Sequence, residues 1–170
     1  MKRFLLLALC LLPLTGVTSC GYHAGGLVNP RMQGVSTFAV NMFDNVTTYP
    51  ELGQLVTSAV GNELQSDGTF KMASPSSADV VIRGSVTNAS LSRTLVDWQD
   101  TNLSRELRVS VRVSYEVVRR STGEVIRKGR ATGDGTYFNT GGNTLTGRSA
   151  ALSYGARRAA SSIVNQLTIP

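Results

Sequence analysis

Few residues in this sequence can do covalent or acid–base chemistry. It has 2 cysteines and 1 histidine in 170 residues. The lone histidine, His23, lies near the amino terminus, which removes His-based triads and makes His-rich metal sites impossible. No Gly-x-Ser-x-Gly occurs. The glycine-rich stretches Gly141-Gly142-Asn143-Thr144 and Gly147-Arg148-Ser149 lack the lysine that a Walker-type phosphate cradle requires. Acidic residues are scattered. Asp97 and Asp100, on either side of Trp98, come nearest to a carboxylate pair, and loop solvation is the simpler role for them. The expectation is a protein that is not an enzyme and carries no dissociable cofactor.

The one reactive group with a clear context is the Cys20 thiol. Met1-Lys2-Arg3 is a short positive head, and Phe4 to Leu14 is an almost unbroken apolar run. That run is too short to span a hydrocarbon core, which needs ~20 helical residues. Charge, apolar run and then small residues is the order of a secretory signal peptide. Val17-Thr18-Ser19-Cys20 resembles a bacterial lipobox, in which the Cys is acylated and becomes the first residue after cleavage. The competing reading is an ordinary signal cut elsewhere, with Cys20 a free thiol. Cysteine at the cut, and none later in the chain, favours acylation. One acyl chain holds a protein only weakly, at roughly 0.8 kcal/mol per buried methylene. Bacterial lipoproteins of this kind usually carry three chains, which makes the anchor effectively permanent. Gly21, where an Asp would suggest inner-membrane retention, favours the outer membrane.

Cleavage before Cys20 leaves 170 − 19 = 151 residues, enough for one domain with a real core. Residues 1–19 are then a lipoprotein signal peptide, 20–34 a lipidated linker and 35–170 a single α+β domain. Cys10 departs with the signal, so the mature chain has no disulfide. Lys+Arg falls from 17 to 15 against 11 Asp+Glu, a net +4. Of the basic residues that remain, only Lys71 and Lys128 are lysines. Arginine's planar fork suits carboxylates and phosphates, so the surface suits an anionic partner, or simple solubility. Nucleic acid is not an expected partner for an exported, lipidated protein.

The elements follow from periodicity. Phe38, Val40 and Met42 alternate with polar or small residues as in a half-buried strand. Thr48-Tyr49-Pro50-Glu51 matches a capping box. Leu52, Leu55, Val56, Ala59, Val60 and Leu64 then form one helical face, and Gly68 is a stop signal. Phe70 and Met72 suggest a short strand. Asp79–Ser92 reads as a longer one, with Val80, Ile82, Gly84 and Val86 on one face and Gly84 marking a bulge or a close backbone approach. Thr94 to Leu103 reads as a loop. Its Trp98 is either a partner contact or, more commonly for such a residue, folded back on the core. From Arg105 to Val118 the alternation is cleanest: Leu107, Val109, Val111, Val113, Tyr115 and Val117 face one way. Glu106, Arg108, Ser110, Arg112, Ser114 and Glu116 face the other. Ser121-Thr122-Gly123 is a hairpin turn; a three-residue loop there would set Glu116 opposite Lys128, a register that the sequence alone does not fix. A further strand runs from Glu124 to about Phe138, weakened by Gly129, Gly133 and Gly135. Asn139 to Gly147 reads as a flexible loop. Ser149–Leu167 reads as a helix whose stripe is Leu152, Ala156, Ala159, Ala160, Ile163 and Leu167, with small residues that let it lie close to a sheet. The expected fold is two helices packed on one face of a mostly antiparallel four- to five-stranded sheet, in the order β-α-β-β-β-β-α.

In its sequence of parts the chain resembles the lipopolysaccharide-assembly lipoprotein family, LptE. The residues that carry the likeness are Cys20-Gly21-Tyr22, the strand Phe38 to Phe43 leading into Asn45-Val46-Thr47, the helix ending at Gly68-Thr69-Phe70, Ala78 to Gly84, the Thr122-Gly123 turn and the closing amphipathic helix. Their order and spacing carry it more than any single motif. The resemblance implies a lipoprotein at the periplasmic face of the outer membrane. There it plugs the lumen of a β-barrel partner, LptD, supports folding of that barrel, binds lipopolysaccharide and helps insert it into the outer leaflet. A plug in a polar lumen needs a hydrophilic surface. Arg108 and Arg112 could meet lipid A phosphates or acidic groups of the barrel wall; a merely solvated strand face is the alternative, and the simpler one. Another class stays open: a periplasmic activator or adaptor lipoprotein of the curli-secretion or penicillin-binding-protein-activator type, which also places a strand, a capped helix and a strand after an Asn-x-Thr segment. The long final hairpin argues against it. A hydrolase of envelope glycans is disfavoured by the missing catalytic groups.

Overall fold

The computed structural model describes residues 32–93, 105–139 and 144–169. Cys20, His23, Asp97, Trp98 and Asp100 lie outside them. Among the described residues six strands and two helices follow in chain order: β1 (Thr37–Val40), β2 (Asp44–Asn45), α1 (Leu52–Asp67), β3 (Lys71–Met72), β4 (Val80–Arg93), β5 (Arg105–Arg119), β6 (Val125–Asn139) and α2 (Thr144–Thr168). The sheet runs β3-β1-β4-β5-β6, with β2 also paired to β4.

The sheet is mixed, where alternation alone suggested mostly antiparallel. β4, β5 and β6 form the expected antiparallel meander. β1 pairs parallel with both β3 and β4, and β2 pairs parallel with β4. The cause is α1, which carries the chain back so that β3 can lie alongside β1 in the same direction. Parallel neighbours need such a crossover, and a helix is the usual one. Period-two alternation reports which face a residue takes and carries no information on strand direction.

α1 buries Leu52, Val56, Val60 and Leu64 as their spacing predicts. Its start differs from the expected capping box: Glu51 is the N-cap, and no side chain caps the helix. With Thr48 as cap, Tyr49 would be the first helical residue. Tyr49 precedes Pro50, and a residue before proline is pushed out of the helical region. Asn45 organises this entry instead. Its Oδ1 accepts from the Thr47 N–H at 3.0 Å and the Thr47 hydroxyl at 2.8 Å, while its Nδ2 donates to the Tyr49 carbonyl at 2.7 Å. The far end stops as predicted, with the Gly68 N–H donating to the Leu64 carbonyl.

On β5 the six inward residues Leu107 to Val117 are all buried. The bulge of β4 lies between Val86 and Asn88, not at Gly84. Gly84 is the close approach: a Cβ there would meet the Phe43 ring at 2.6 Å. The last hairpin reaches the expected register by a longer route. The Arg119 N–H donates to Glu124 O at 2.8 Å, leaving four residues in the loop, and a bulge at Ile126 then restores Glu116 opposite Lys128.

α2 begins at Thr144, earlier than its apolar stripe, inside the stretch read as loop. Ala151, Leu152, Ala156, Ala159, Ala160, Ile163, Val164 and Leu167 are buried. The helix lies directly on β6, because a Cβ on Gly133 would overlap the Gly155 carbonyl and Ala159 nitrogen, and one on Gly135 would overlap the Ala151 carbonyl. Those glycines weaken the strand on its own yet allow the helix backbone to touch it. Burying each Leu or Ile of the stripe contributes ~1.5–3 kcal/mol.

Candidate functional site

With both helices on one face of the sheet, the opposite face of β4, β5 and β6 is polar through its middle rows, with Val81 and Val118 at one end and exposed Phe138 at the other. Register stacks its residues in rows. Arg83, Glu116 and Lys128 form one, Ser85, Ser114 and Arg130 the next, then Asn88, Arg112 and Thr132. Farther along come Ser90, Ser110 and Asp134, and then Ser92, Arg108 and Thr136.

Arg108 and Arg112, the predicted anion contacts, are both exposed on this face. Four strand positions separate them by ~13 Å, so they act at two points and not as one clamp. Neither forms an ion pair with a described residue. Arg108 borders a hollow with Asp134, Thr136, Tyr154 and Arg158 at the outer margin of the sheet. Trp98, the third predicted contact, lies outside the described residues.

A groove lies at the other end of the polar face, toward the Thr122-Gly123 turn. Its volume is about 930 Å³, and it is lined by Asn41, Met42 and Asp44, with Arg83, Ser85, Ser114, Glu116, Lys128 and Arg130. Glu116 is its electrostatic centre. Arg83 Nε donates to Glu116 Oε1 at 2.6 Å, and Lys128 Nζ stands 3.4 Å from Oε2. The Arg83 hydrogen bond, helped by Lys128, holds the Glu116 carboxyl below the usual carboxylate range. Arg83, Lys128 and Arg130 outnumber Glu116 and Asp44, and two serine hydroxyls lie between them. This arrangement can receive anionic oxygens such as phosphate or carboxylate. Sequence spacing flagged only the Glu116–Lys128 pair. Arg83 and Arg130 join it because of the β4–β5 register and the bulge at Ile126, neither of which alternation specifies.

Two further polar centres are structural. Asp79 Oδ2 accepts from the Ser36 N–H at 3.0 Å and from the Thr37 N–H and hydroxyl, both at 2.9 Å. These bonds, led by the Ser36 N–H, lower the Asp79 pKa and clip β1 to the start of β4. Tyr115, raised in pKa chiefly by burial, donates its hydroxyl to Gln166 Oε1 at 3.0 Å. Gln166 Nε2 in turn donates to the Arg130 carbonyl at 3.1 Å. Among the described residues no group of three His, Cys, Asp or Glu could hold a metal ion. No described helix is long and apolar enough to cross a membrane.

Residues 35–167 match the LptE family, described as lipopolysaccharide-assembly. The chain belongs to the LptE family. Its part in the cell is accordingly in lipopolysaccharide assembly at the envelope, and the matched span covers the groove, both arginines and both helices. No curated protein matches the sequence. Among solved structures, this LptE-family chain is similar to a PelC dodecamer from Paraburkholderia phytofirmans, at 23% identity over 85% of this chain and 95% of that one, with a TM-score of 0.50. It is also similar to a putative neuraminyllactose-binding hemagglutinin homolog from Helicobacter pylori, at 9% identity over 80% and 87%, with a TM-score of 0.51. At such identities the likeness is one of fold. The rare lipoprotein B from Shewanella oneidensis also matches, at 17% identity over 77% and 92%, with a TM-score of 0.45.

Proposed function

We propose that this protein is a non-enzymatic lipoprotein, anchored by acyl chains on Cys20 to the periplasmic face of the outer membrane. There it seats in the lumen of a β-barrel partner, LptD, and helps pass lipopolysaccharide to the outer leaflet. The family match over residues 35–167 is the observation that carries this reading. Two features support it. Through the middle of the sheet, from the Arg83–Glu116–Lys128 row to the Ser92–Arg108–Thr136 row, the face away from the helices is polar, as suits a surface inside a hydrophilic lumen. Arg108, Arg112 and the Arg83–Lys128–Arg130 groove put cations where phosphorylated glycolipid could reach them. No cofactor takes part beyond the covalent lipid.

The test is recovery of the full chain from gently solubilised outer membranes. Co-purification of a large outer-membrane β-barrel with bound lipopolysaccharide is expected. Recovery with a peptidoglycan synthase or a curli-secretion component would establish the adaptor alternative, and recovery as a lone monomer would refute the plug. A second arm changes Arg108 and Arg112 to Glu together. Retained lipopolysaccharide should fall with the fold intact; unchanged retention removes both residues from the site.

A further inference from the structure

The two margins of the sheet are built differently. At one, β3 is only two residues long, which is how proteins usually blunt an edge. At the other, β6 is 15 residues long, pairs among the described residues only with β5, contains no proline and keeps an unbroken register from Arg127 to Asn139. Its alternate residues turn their backbone groups away from β5. The Arg130 carbonyl is one of these, since it is free to accept from Gln166 Nε2 at 3.1 Å. By the two-residue repeat of an antiparallel ladder, Thr132, Asp134 and Thr136 present N–H and C=O groups outward as well.

We propose that the β6 edge is a strand-addition site, and that its occupant is an extended, acidic segment of a partner protein. Hydrogen bonds to the Thr132–Thr136 backbone would supply the pairing. Charge selects the occupant. Among the described residues, the hollow at this margin sets Arg108 and Arg158 against the single carboxylate of Asp134, with Tyr154 exposed above it and Arg130 two residues before Thr132 on the same strand. A second copy of this chain does not fit. Because α2 rests directly on β6, a copy adding its own β6 would bring its α2 along. Paired strands lie ~4.8 Å apart, whereas packed helices need 8–10 Å. A strand with no helix above it meets no such obstacle. The site shares Arg108 and Arg130 with the polar face assigned to lipopolysaccharide, but its backbone donors and acceptors lie on the β6 edge alone, so it stands whether or not that assignment holds.

The test follows amide hydrogen exchange by NMR in the full-length chain, with two synthetic nine-residue peptides as probes: one alternating Thr and Glu, the other Thr and Lys. Without peptide, the amides of Thr132, Asp134 and Thr136 should exchange at least ten-fold faster than those of Ala131 and Gly133, which face β5. The Thr–Glu peptide should slow them at least ten-fold, and the Thr–Lys peptide should not. Thr132→Pro removes one outward donor without touching the β5 ladder and should abolish the protection. Should that variant unfold, the double change of Arg130 and Arg158 to Glu should reverse the preference between the peptides. Slow edge amides in the free chain would overturn the proposal. So would equal protection by both peptides, no protection at millimolar peptide, or concentration-dependent protection with no peptide, which would mean self-association.

Discussion

Gly133 sets the height of α2 above the sheet, and replacing it with alanine tests that directly. A Cβ there would overlap the Gly155 carbonyl and the Ala159 nitrogen and stand 2.9 Å from the Arg158 carbonyl carbon. All three are helix backbone atoms, so no rotamer change relieves the clash and the helix itself must move. Resting carbon contacts are ~3.5 Å, so the shift is on the order of 1 Å. It would loosen Ala156, Ala159 and Ala160 against β5 and β6. Overpacking typically costs ~1–3 kcal/mol, and an unyielding backbone places this case near ~3 kcal/mol. In a domain of this size 1 kcal/mol moves Tm by ~2–4 °C, so Gly133→Ala should melt about 6–12 °C below the parent. Gly61→Ala is the control of opposite sign. Gly61 lies inside α1, and its new Cβ would meet only Met72 Cε, at 3.6 Å. Glycine in a helix interior costs ~1 kcal/mol against alanine, so this variant should gain ~2–4 °C. Thermal melts and urea midpoints on the three proteins decide it. If Gly133→Ala melts within 1 °C of the parent, the account of α2 docking is wrong.

Asp79 and Glu116 both have pKa values lowered in the fold, from 3.8 and 4.5. Their contribution is therefore present above those ordinary values and disappears as pH falls through the lowered ones. Urea midpoints should drop on acidification below roughly pH 4, and the Asp79→Asn/Glu116→Gln double variant should show a flatter profile; an identical slope would refute the assignment. Asn45→Ala removes the side-chain bonds that shape the entry to α1 and should cost ~1–2 kcal/mol, read as a lower urea midpoint at unchanged m. Tyr115→Phe leaves Gln166 without the hydroxyl it accepts from and should cost ~1 kcal/mol; a neutral result would mean that this clamp adds nothing. Cys20→Ala should accumulate as precursor without palmitate label, and normal labelling would place acylation elsewhere.

Much of this molecule was legible in the order of its residues. The inward row of β5, the buried stripes of both helices and the stop at Gly68 all follow from period and turn chemistry, which are local properties; the Glu116–Lys128 pairing does not, since it is reached through a four-residue loop and a bulge at Ile126. Local reasoning also misled in a definable way. The Thr48–Glu51 pattern satisfies a capping box on paper, but Pro50 acts on Tyr49 and moves the helix start to Leu52.

What the sequence by itself determined is which residues face inward and where the chain turns, because side-chain polarity repeats with the period of each element. Only the tertiary structure decided strand direction, the gathering of Arg83 and Arg130 around Glu116, and the purpose of the glycines in β6. Each depends on what lies opposite, across a crossover, a bulge or a helix backbone tens of residues away in the chain, and a residue's own neighbours carry no record of that.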